Sequence, residues 1–345
     1  MTDPAFTRCA RPHLTARRIS TYTILGWVGY AVANLVGSAL ALPWQLTLGE
    51  RLVAFFVPPL AFITVVAVSS ALAGAERIVF YRTAVVSVAA VAALGALTGA
   101  PIARLVDLVT LGIGIFLVFG RLGCHAVACC HGTLGRGVTY GPPHVAVGFT
   151  PRWSGRALWP VQLAEAIASG ALVLAGLTCS AEPGTAALVY ALGYAAVRFV
   201  LELLRGDGVR PYALGLSEAQ WIAVASALAC AAWRPGIVTV AIAAGLVAAA
   251  ATLIVRRHRR ELLLPGHRCE LEQALVVADS GQRRETSLGV AVSRHVLPDG
   301  RTDWVLSSEH RYWSAATARS LAHLLWPSFE LLPGHTPNVF HVLTP

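Results

Sequence analysis

The residues best suited to chemistry stand where a long apolar run, which begins near Asp107, comes to an end. Residues 119–132 contain one arginine, Arg121, and then three of the seven cysteines of the chain and two histidines. The thiol and imidazole groups of this stretch belong to Cys124, His125, Cys129, Cys130 and His131. An ionisable group in a membrane segment is costly and is a functional candidate by default. We therefore interpret this stretch as the active or binding site.

A second set of polar residues interrupts the apolar segment that starts at residue 184. Its members are Tyr194, Arg198, Glu202 and Arg205. Their spacing of four, four and three residues places them on one face of a helix. Two arginines against one glutamate leave a surplus of positive charge, which favours an anion such as phosphate in a cavity of low dielectric constant. The alternative is an Arg198–Glu202 salt bridge that only holds helices together.

Gln162 and Glu165 lie three residues apart, so they share a face of the helix that follows Trp159. A buried Glu165 needs a cationic partner, and Arg121 is the nearest candidate in the sequence. Glu165 can instead sit at the wet end of its helix and interact with the N-terminal helix dipole. The sequence leaves both interpretations open.

The cysteine and histidine spacing is not typical of a zinc knuckle, and adjacent cysteines rarely both bind one zinc ion. A vicinal disulfide or plain structural thiols fit better, and a nucleophilic thiolate beside Arg121 is a further alternative. We therefore predict no metal site and no cofactor. The weaker candidates for metal ligands are Cys124, Cys129, Cys130, His125 and His131.

Composition places the chain among polytopic membrane proteins. Of its 345 residues 56% are apolar and only 13% are charged, and apolar runs of about 20 residues span a bilayer. The net charge is +9, but no basic stripe with interleaved aromatic residues is present, so we expect no nucleic-acid partner. The odd number of cysteines does not suggest a disulfide framework.

Hydrophobic periodicity predicts an all-α polytopic membrane bundle with seven or eight transmembrane helices. A basic N-terminal tail (1–19) precedes a transmembrane domain (20–255), which contains an extramembrane head at about 121–159. The apolar runs lie at about 21–42, 52–73, 78–98, 106–120, 160–178, 184–204, 218–233 and 236–255.

Residues 256–345 read as a small soluble α+β domain of unknown function, because the composition changes abruptly after the arginine cluster at 256–260. Strands are predicted at 288–296 and 304–307, joined by a Pro-Asp-Gly turn. A helix is predicted at 314–326 and a closing strand at 338–343.

Several short motifs come in an order that resembles the bacterial prolipoprotein diacylglyceryl transferase family. The resemblance covers roughly residues 20–235. The motifs are Gly-Arg-Leu-Gly at 120–123, Gly132, Pro-Val-Gln-Leu-Ala-Glu at 160–165, Tyr-Ala-Ala-Val-Arg-Phe-Val-Leu-Glu-Leu-Leu-Arg at 194–205 and Leu-Ser-Glu-Ala-Gln at 216–220. The pattern from Cys124 to Gly132 resembles a divergent, cysteine-bearing branch of the same superfamily.

The resemblance implies a role for each matching residue. Arg121 is similar to the signature arginine that holds the phosphatidylglycerol head group, and Arg198 is similar to a second essential arginine. Glu202 and Tyr81 complete the expected catalytic set. The expected substrate-binding residues are Tyr194, Arg205, Gln162, Glu165 and Gly132.

The chain also departs from the family pattern. A cysteine, Cys124, stands where the family has asparagine, and Cys129 stands where it has an acidic residue. The His-Gly-Gly motif that is proposed as catalytic in the family appears here as Tyr81-Arg-Thr. The phosphate-binding groups are thus kept, while the proposed base is replaced.

The implied reaction moves diacylglyceryl from phosphatidylglycerol to the thiol of a lipobox cysteine in lipoprotein biosynthesis. The partners would be phosphatidylglycerol, the prolipoprotein signal peptide and the lipid bilayer, in the bacterial plasma membrane. The alternative is a non-catalytic membrane paralogue that binds lipid or senses metal or redox state through its cysteines and histidines.

The orientation is in conflict. The family has its site on the outer-leaflet side and its C-terminus in the cytoplasm, which seven spans satisfy, with the run at 236–255 as an extra, re-entrant or interfacial helix. The basic N-terminal tail then lies outside, against the positive-inside tendency, whereas eight spans with arginine clusters at both ends place both termini and the head in the cytoplasm. We follow the family here.

Overall fold

The computed structural model describes residues 20–73, 80–146, 148–149, 153–206, 212–258, 261–279, 282–308, 313–336 and 338–345. The basic tail predicted at 1–19 lies outside these residues. The described residues of Met1–Gly206 and Ala219–Ala250 form one compact unit, and those of Asp207–Glu218 and Ala251–Pro345 form a second.

Each apolar run of the sequence is helical, as predicted. The helices up to residue 258 are, in chain order, α1 (Thr21–Ala41), α2 (Leu48–Ala73), α3 (Phe80–Thr98), α4 (Ile102–Ala126), the short α5 (Pro142–Ala146), α6 (Val161–Thr178), α7 (Thr185–Leu201), α8 (Glu218–Trp233) and α9 (Ile237–His258).

The predicted count of seven or eight spans is not confirmed. Six helices among the described residues are long and apolar enough to cross a membrane, namely α1, α2, α3, α4, α6 and α9. The apolar run at 184–204 includes residues outside the helix: Gly184 is left-handed, with φ of 87°, and Glu202 is already the C-cap. The remaining 17 residues of α7 reach about 26 Å, less than the roughly 30 Å of a hydrocarbon core.

The helix that carries Arg121 is longer than predicted. The apolar run ends near residue 120, but α4 continues to Ala126, so Arg121, Cys124 and His125, which were predicted to lie in the head, are helical. Beyond α4, β1 (Leu134–Thr139) pairs antiparallel with β2 (Ala157–Leu158). The head has its own small core, made of Ala128, Tyr140, Phe149, Trp153 and Leu158.

Helix α4 is the centre of the first unit, since it packs against α1, α2, α3, α6 and α7. Close approach is possible because Gly114 has no side chain: a Cβ atom there would lie 2.5 Å from the ring of Tyr190 and 2.7 Å from Val173. At the start of α4 the buried carboxylate of Asp107 accepts hydrogen bonds from the backbone N–H groups of Gly184 (2.7 Å) and Ala187 (2.8 Å). Asp107 therefore caps α7 from a neighbouring helix.

The second unit contains a β-hairpin, β3 (Tyr212–Ala213) and β4 (Leu216–Ser217), and an antiparallel five-stranded sheet. The strands of the sheet are β5 (Arg284–Glu285), β6 (Ala291–Val296), β7 (Thr302–Ser307), β8 (Glu330–Pro333) and β9 (Val339–Thr344), in the order β5-β6-β7-β9-β8. Two helices, α10 (Pro265–Asp279) and α11 (Ala315–Leu325), accompany it. Its core is apolar, with Leu271, Leu306 and Leu321 fully buried.

The predicted strands and helix of this region are observed as β6, β7, β9 and α11. The β6–β7 turn closes with a hydrogen bond from Leu297 N–H to the carbonyl of Arg301 (2.9 Å), and Gly300 takes a positive φ of 84°. Helix α10 and strand β8 were not predicted; the α10 sequence mixes charged and apolar residues, so it has no long apolar run.

Candidate functional site

Three helices bring their polar residues to one end of the bundle. Arg121 lies near the end of α4, Glu165 lies in the second turn of α6, and Arg198 lies in the last turn of α7. Because α6 begins where α4 and α7 end, the three side chains meet. All three are at most 7% exposed to solvent.

The carboxylate of Glu165 is the meeting point of this cluster. Arg121 Nε lies 2.9 Å from Glu165 Oε2, as an ion pair without hydrogen-bond alignment, and Arg198 Nη1 donates to the same oxygen at 3.2 Å. The hydroxyl of Tyr194 donates to the other oxygen, Oε1, at 2.6 Å. The sequence left open whether Glu165 pairs with Arg121 or interacts with the helix dipole. In the structure it pairs with Arg121.

Arg198 is held from three sides. Its Nη2 lies 2.7 Å from Glu202 Oε2, and its guanidinium carbon lies 5.5 Å from the centre of the Tyr81 ring. Together with Glu165 these contacts fix the plane of the guanidinium group. Its Nε has no hydrogen-bond acceptor among the described residues, although Arg198 is 2% exposed. A buried donor of this kind is costly unless a ligand satisfies it.

Tyr81 joins the cluster through a second tyrosine. Its hydroxyl donates to the hydroxyl of Tyr194 at 3.4 Å, and the two rings stack with centroids 6.2 Å apart. Since Tyr194 donates in turn to Glu165, the three groups form one chain of hydrogen bonds. Tyr81, which the resemblance compares with the family's histidine, thus lies next to Arg198 of the predicted clamp.

Arg205 enters the site from the segment after α7. This residue forms an antiparallel bridge with Gly132, and the adjacent Gly206 N–H donates to the carbonyl of His131 at 2.9 Å. Gly132 is sterically required, because a Cβ atom there would lie 2.3 Å from the carbonyl oxygen of Trp159. The guanidinium of Arg205 acts electrostatically on both Glu165 and Arg198.

Gln162 connects α6 to the head. Its Nε2 donates to the carbonyl of Cys129 (2.7 Å) and to the hydroxyl of Tyr140 (3.2 Å). That hydroxyl is also hydrogen-bonded to Nδ1 of His125 at 3.0 Å. Sequence reasoning missed Tyr140, because a tyrosine in a glycine-rich loop carries no periodic signal.

Three thiols lie beside the arginine cluster. The Sγ atoms of Cys124, Cys129 and Cys130 are all within 4.8 Å of one another, and none of the three forms a disulfide bond. The predicted alternative of a vicinal disulfide between Cys129 and Cys130 is therefore not observed. Hydrogen bonds from Cys124 and Cys129, and then the positive charges of Arg205 and Arg121, hold the pKa of the Cys130 thiol well below its usual value.

The histidines named as weaker metal-ligand candidates belong to other contacts. No histidine joins the thiol group among the described residues. His131 is hydrogen-bonded through Nδ1 to the carbonyl of Gly132 (2.9 Å), and its ring lies against Phe149. Like His125, it is thus integrated into the head.

The balance of charge in this site suits an anion. Arg121, Arg198 and Arg205 are buried with two carboxylates, Glu165 and Glu202, so that one positive charge is left over. In a site of low dielectric constant such a surplus attracts a singly charged anion strongly. Guanidinium groups bind phosphate oxygens in a bidentate manner, which makes a phosphodiester a suitable ligand.

Comparison with known proteins agrees with this geometry. Residues 76–234 match the model of the family described as prolipoprotein diacylglyceryl transferase. No curated protein matches the chain. The match contains the site residues from Tyr81 to Arg205, and it begins after α2, whereas the motif resemblance was extended to residue 20. Over residues 76–234 the resemblance is therefore confirmed, because this part of the chain matches the model of the prolipoprotein diacylglyceryl transferase family.

Proposed function

We propose that this protein transfers diacylglyceryl from phosphatidylglycerol to the cysteine thiol of a prolipoprotein lipobox, in the bacterial plasma membrane. The family supports a transferase of lipoprotein biosynthesis, and the six apolar helices support a multi-pass membrane protein. The proposal adds two details to this family-level function, namely the identity of the donor lipid and that of the acceptor peptide.

The observation that carries this proposal is the convergence of Arg121 and Arg198 on one carboxylate. Their helices, α4 and α7, are distant in sequence, yet both guanidinium groups lie within 3.2 Å of Glu165 Oε2. A salt bridge that served only to hold helices together would need one arginine for each carboxylate. With Arg205 the surplus is one positive charge, equal and opposite to that of one phosphodiester.

The arginines are positioned before the lipid arrives. Glu165 holds Arg121 and Arg198, and Glu202 holds Arg198 from the other side. During transfer, the bond between the glyceryl carbon and the phosphate oxygen breaks, and negative charge accumulates on the departing glycerol phosphate. Fixed guanidinium groups stabilise this charge without reorganising, which is usually the largest single contribution to such a reaction.

The acceptor thiol must lose a proton, and Tyr81 is the residue of the site that is placed to exchange one. Its hydroxyl is connected through Tyr194 to the carboxylate of Glu165. The other acceptors considered are the phosphate itself and the head histidines His125, His131 and His144. His125 and His144 contact Tyr140, and His131 packs on Phe149, so these rings serve the structure of the head.

Lipidation by an Arg198→Gln variant tests the clamp. Without the guanidinium group, we expect lipidation to fall by about a hundredfold or more, measured as the mass shift of a reporter lipoprotein in a strain that lacks its own transferase. Arg234→Gln is the matched control, since Arg234 binds Glu182 and Thr185 at the opposite end of the bundle. Full lipidation by Arg198→Gln at equal protein level refutes the clamp; failure of the unmodified chain to complement refutes the reaction.

We further propose that the site end of the bundle faces the outer leaflet. Cys179 is exposed and follows the last residue of α6, about 27 Å from the first turn of that helix. It then faces the cytoplasm, and a membrane-impermeant maleimide should label it in inverted vesicles but not in intact cells. Labelling in intact cells instead would place the arginine-rich site end inside.

A further inference from the structure

The three thiols beside the arginine cluster are arranged like a ligand set. Cys124 follows Arg121 by three residues on α4, which puts both on one face of the helix. Cys129 and Cys130 return from the head so that all three Sγ atoms lie within 4.8 Å of one another. The thiols therefore lie about one helical turn beyond the predicted phosphate clamp.

The backbone that brings the thiols together is strained. Ala128 and Cys130 both have positive φ angles, 60° and 56°. For residues other than glycine this conformation costs on the order of 1–3 kcal/mol, and it persists only where the surroundings impose it. Gln162 supplies part of that constraint, because it donates to the carbonyl of Cys129 at 2.7 Å. Thiols that only filled space would not require such a turn.

The proposed reaction also leaves one task without a strong base. The acceptor thiol must become a thiolate, but the residue at the position of the family's histidine is Tyr81. A cysteine of the cluster cannot take over by attacking the lipid itself. Its product would be a thioether, which is a poor leaving group, so the diacylglyceryl group would not move on to the peptide.

We propose that Cys124, Cys129 and Cys130 bind one zinc ion, and that the acceptor thiol occupies the fourth position of that ion. This inference depends on the proposed function for the identity of the fourth ligand. Zinc takes thiolate ligands in tetrahedral geometry, and catalytic zinc sites keep one position open. A thiol that coordinates zinc is deprotonated by it, which replaces the missing base.

The geometry requires only a small adjustment. With Zn–S distances near 2.3 Å, tetrahedral ligands lie about 3.8 Å apart, so the widest pair must close by roughly 1 Å. Three thiolates around a divalent ion leave one negative charge. Arg121 and Arg205 act electrostatically on Cys130, so they lower the energy of this negative charge without neutralising it.

The step balances as follows. The S–H bond of the acceptor breaks when the sulfur binds zinc, and the proton passes to water. The sulfur electron pair forms a bond to the glyceryl carbon, while the carbon–oxygen bond to phosphate breaks and its electrons stay on the phosphate oxygen. Glycerol phosphate leaves from Arg121 and Arg198, and the neutral thioether, a weak ligand, leaves the zinc.

Metal content of the full-length protein, purified in detergent under reducing conditions, tests the site. We expect about one zinc per chain, with at least a tenfold loss in Cys130→Ser. Cys179→Ser is the control, since Cys179 lies at the opposite end of α6 and should retain the metal. Absence of zinc even after incubation with zinc salts, or equal zinc in Cys130→Ser, would overturn the proposal.

Cobalt substitution tests the open position without any variant. Co²⁺ in place of zinc should give an intense thiolate charge-transfer band, and a lipobox peptide with a free cysteine should shift the visible bands. The same peptide with serine in place of cysteine should not. If the visible bands do not shift when the cysteine peptide is added, the fourth position does not receive the acceptor.

Vesicle binding separates this inference from the proposed function. Cys130→Ser should lose zinc but still bind vesicles that contain phosphatidylglycerol, whereas Arg198→Gln should keep zinc and bind them less. If lipidation depends on Arg198 but no zinc is present, the zinc inference alone fails. If zinc is present but the unmodified chain does not lipidate the reporter, the proposed function fails and the acceptor role fails with it.

Discussion

The two units of this protein differ in how far the side chains of their ion pairs are exposed to solvent. In the helical bundle, Arg198 pairs with Glu165, and their side chains are 2% and 1% exposed. In the C-terminal unit, Arg301 pairs with Asp299 and Glu330, and these side chains are between 45% and 58% exposed. The core of that unit is made of apolar residues. The C-terminal unit also buries Arg268 beside Glu272, at 3.8 Å, but that is one pair, whereas three arginines are buried in the bundle, which therefore carries the larger desolvation cost.

Burial of a charge does not by itself identify a functional residue. Asp107 is as buried as Glu165, yet two backbone N–H groups satisfy it and its task is to cap α7. The arginine cluster differs because its positive charges outnumber its carboxylates, and because Arg198 Nε has no acceptor among the described residues. An excess of buried charge over partners is thus the more specific sign of a ligand site.

Glu165→Gln should have the largest effect in this comparison. Arg121 and Arg198 would lose their shared carboxylate, and breaking a buried ion pair in this way destabilises a protein by about 3–5 kcal/mol. The guanidinium groups would also lose their orientation, so we expect lipidation per folded molecule to fall by about a hundredfold. Thermal unfolding in detergent and the reporter lipoprotein assay measure the two effects.

Asp107→Asn is the matched control for Glu165→Gln, because it neutralises a deeply buried acid of the bundle that lies outside the arginine cluster. It should lower the stability by about 1–3 kcal/mol, through the weakened cap of α7. Lipidation per folded molecule should stay near that of the unmodified protein. Equal losses of lipidation in both variants would mean that stability alone explains them, and the distinction between cap and clamp would fail.

The sequence predicted the helices well because the apolar runs are long and uninterrupted. The predicted span count is not confirmed, because the apolar run around α7 includes Gly184 and Glu202, which lie outside the helix at its two ends. The end of α4 was misplaced for a related reason: Arg121 looks like the edge of a membrane helix, but its buried partner Glu165 allows the helix to continue past it.

The arginine clamp was predictable from residue type, spacing and family resemblance together. The three thiols were named only as weaker metal-ligand candidates, because adjacent cysteines are an unusual pattern and the sequence does not show the positive φ angles of Ala128 and Cys130 in the turn that carries them. Likewise, nothing in the sequence indicated that Gln162 would bind the carbonyl of Cys129. Such contacts depend on the path of the head, and periodicity carries no information about that path.

Arg301→Ala should have the smallest effect. Hydrogen bonds from Arg301 lower the pKa of the Asp299 carboxyl, so the pair favours the folded state above the pKa of the unfolded carboxyl, and this contribution is lost as the pH falls through the lowered value. Both side chains face solvent, where salt screens them. At physiological ionic strength and neutral pH the unfolding midpoint of the full-length variant should therefore match that of the unmodified protein within error. Any difference seen at low salt should shrink as the pH falls through the lowered pKa of Asp299. A loss of lipidation like that of Glu165→Gln would instead show that a surface charge of the C-terminal unit serves the reaction.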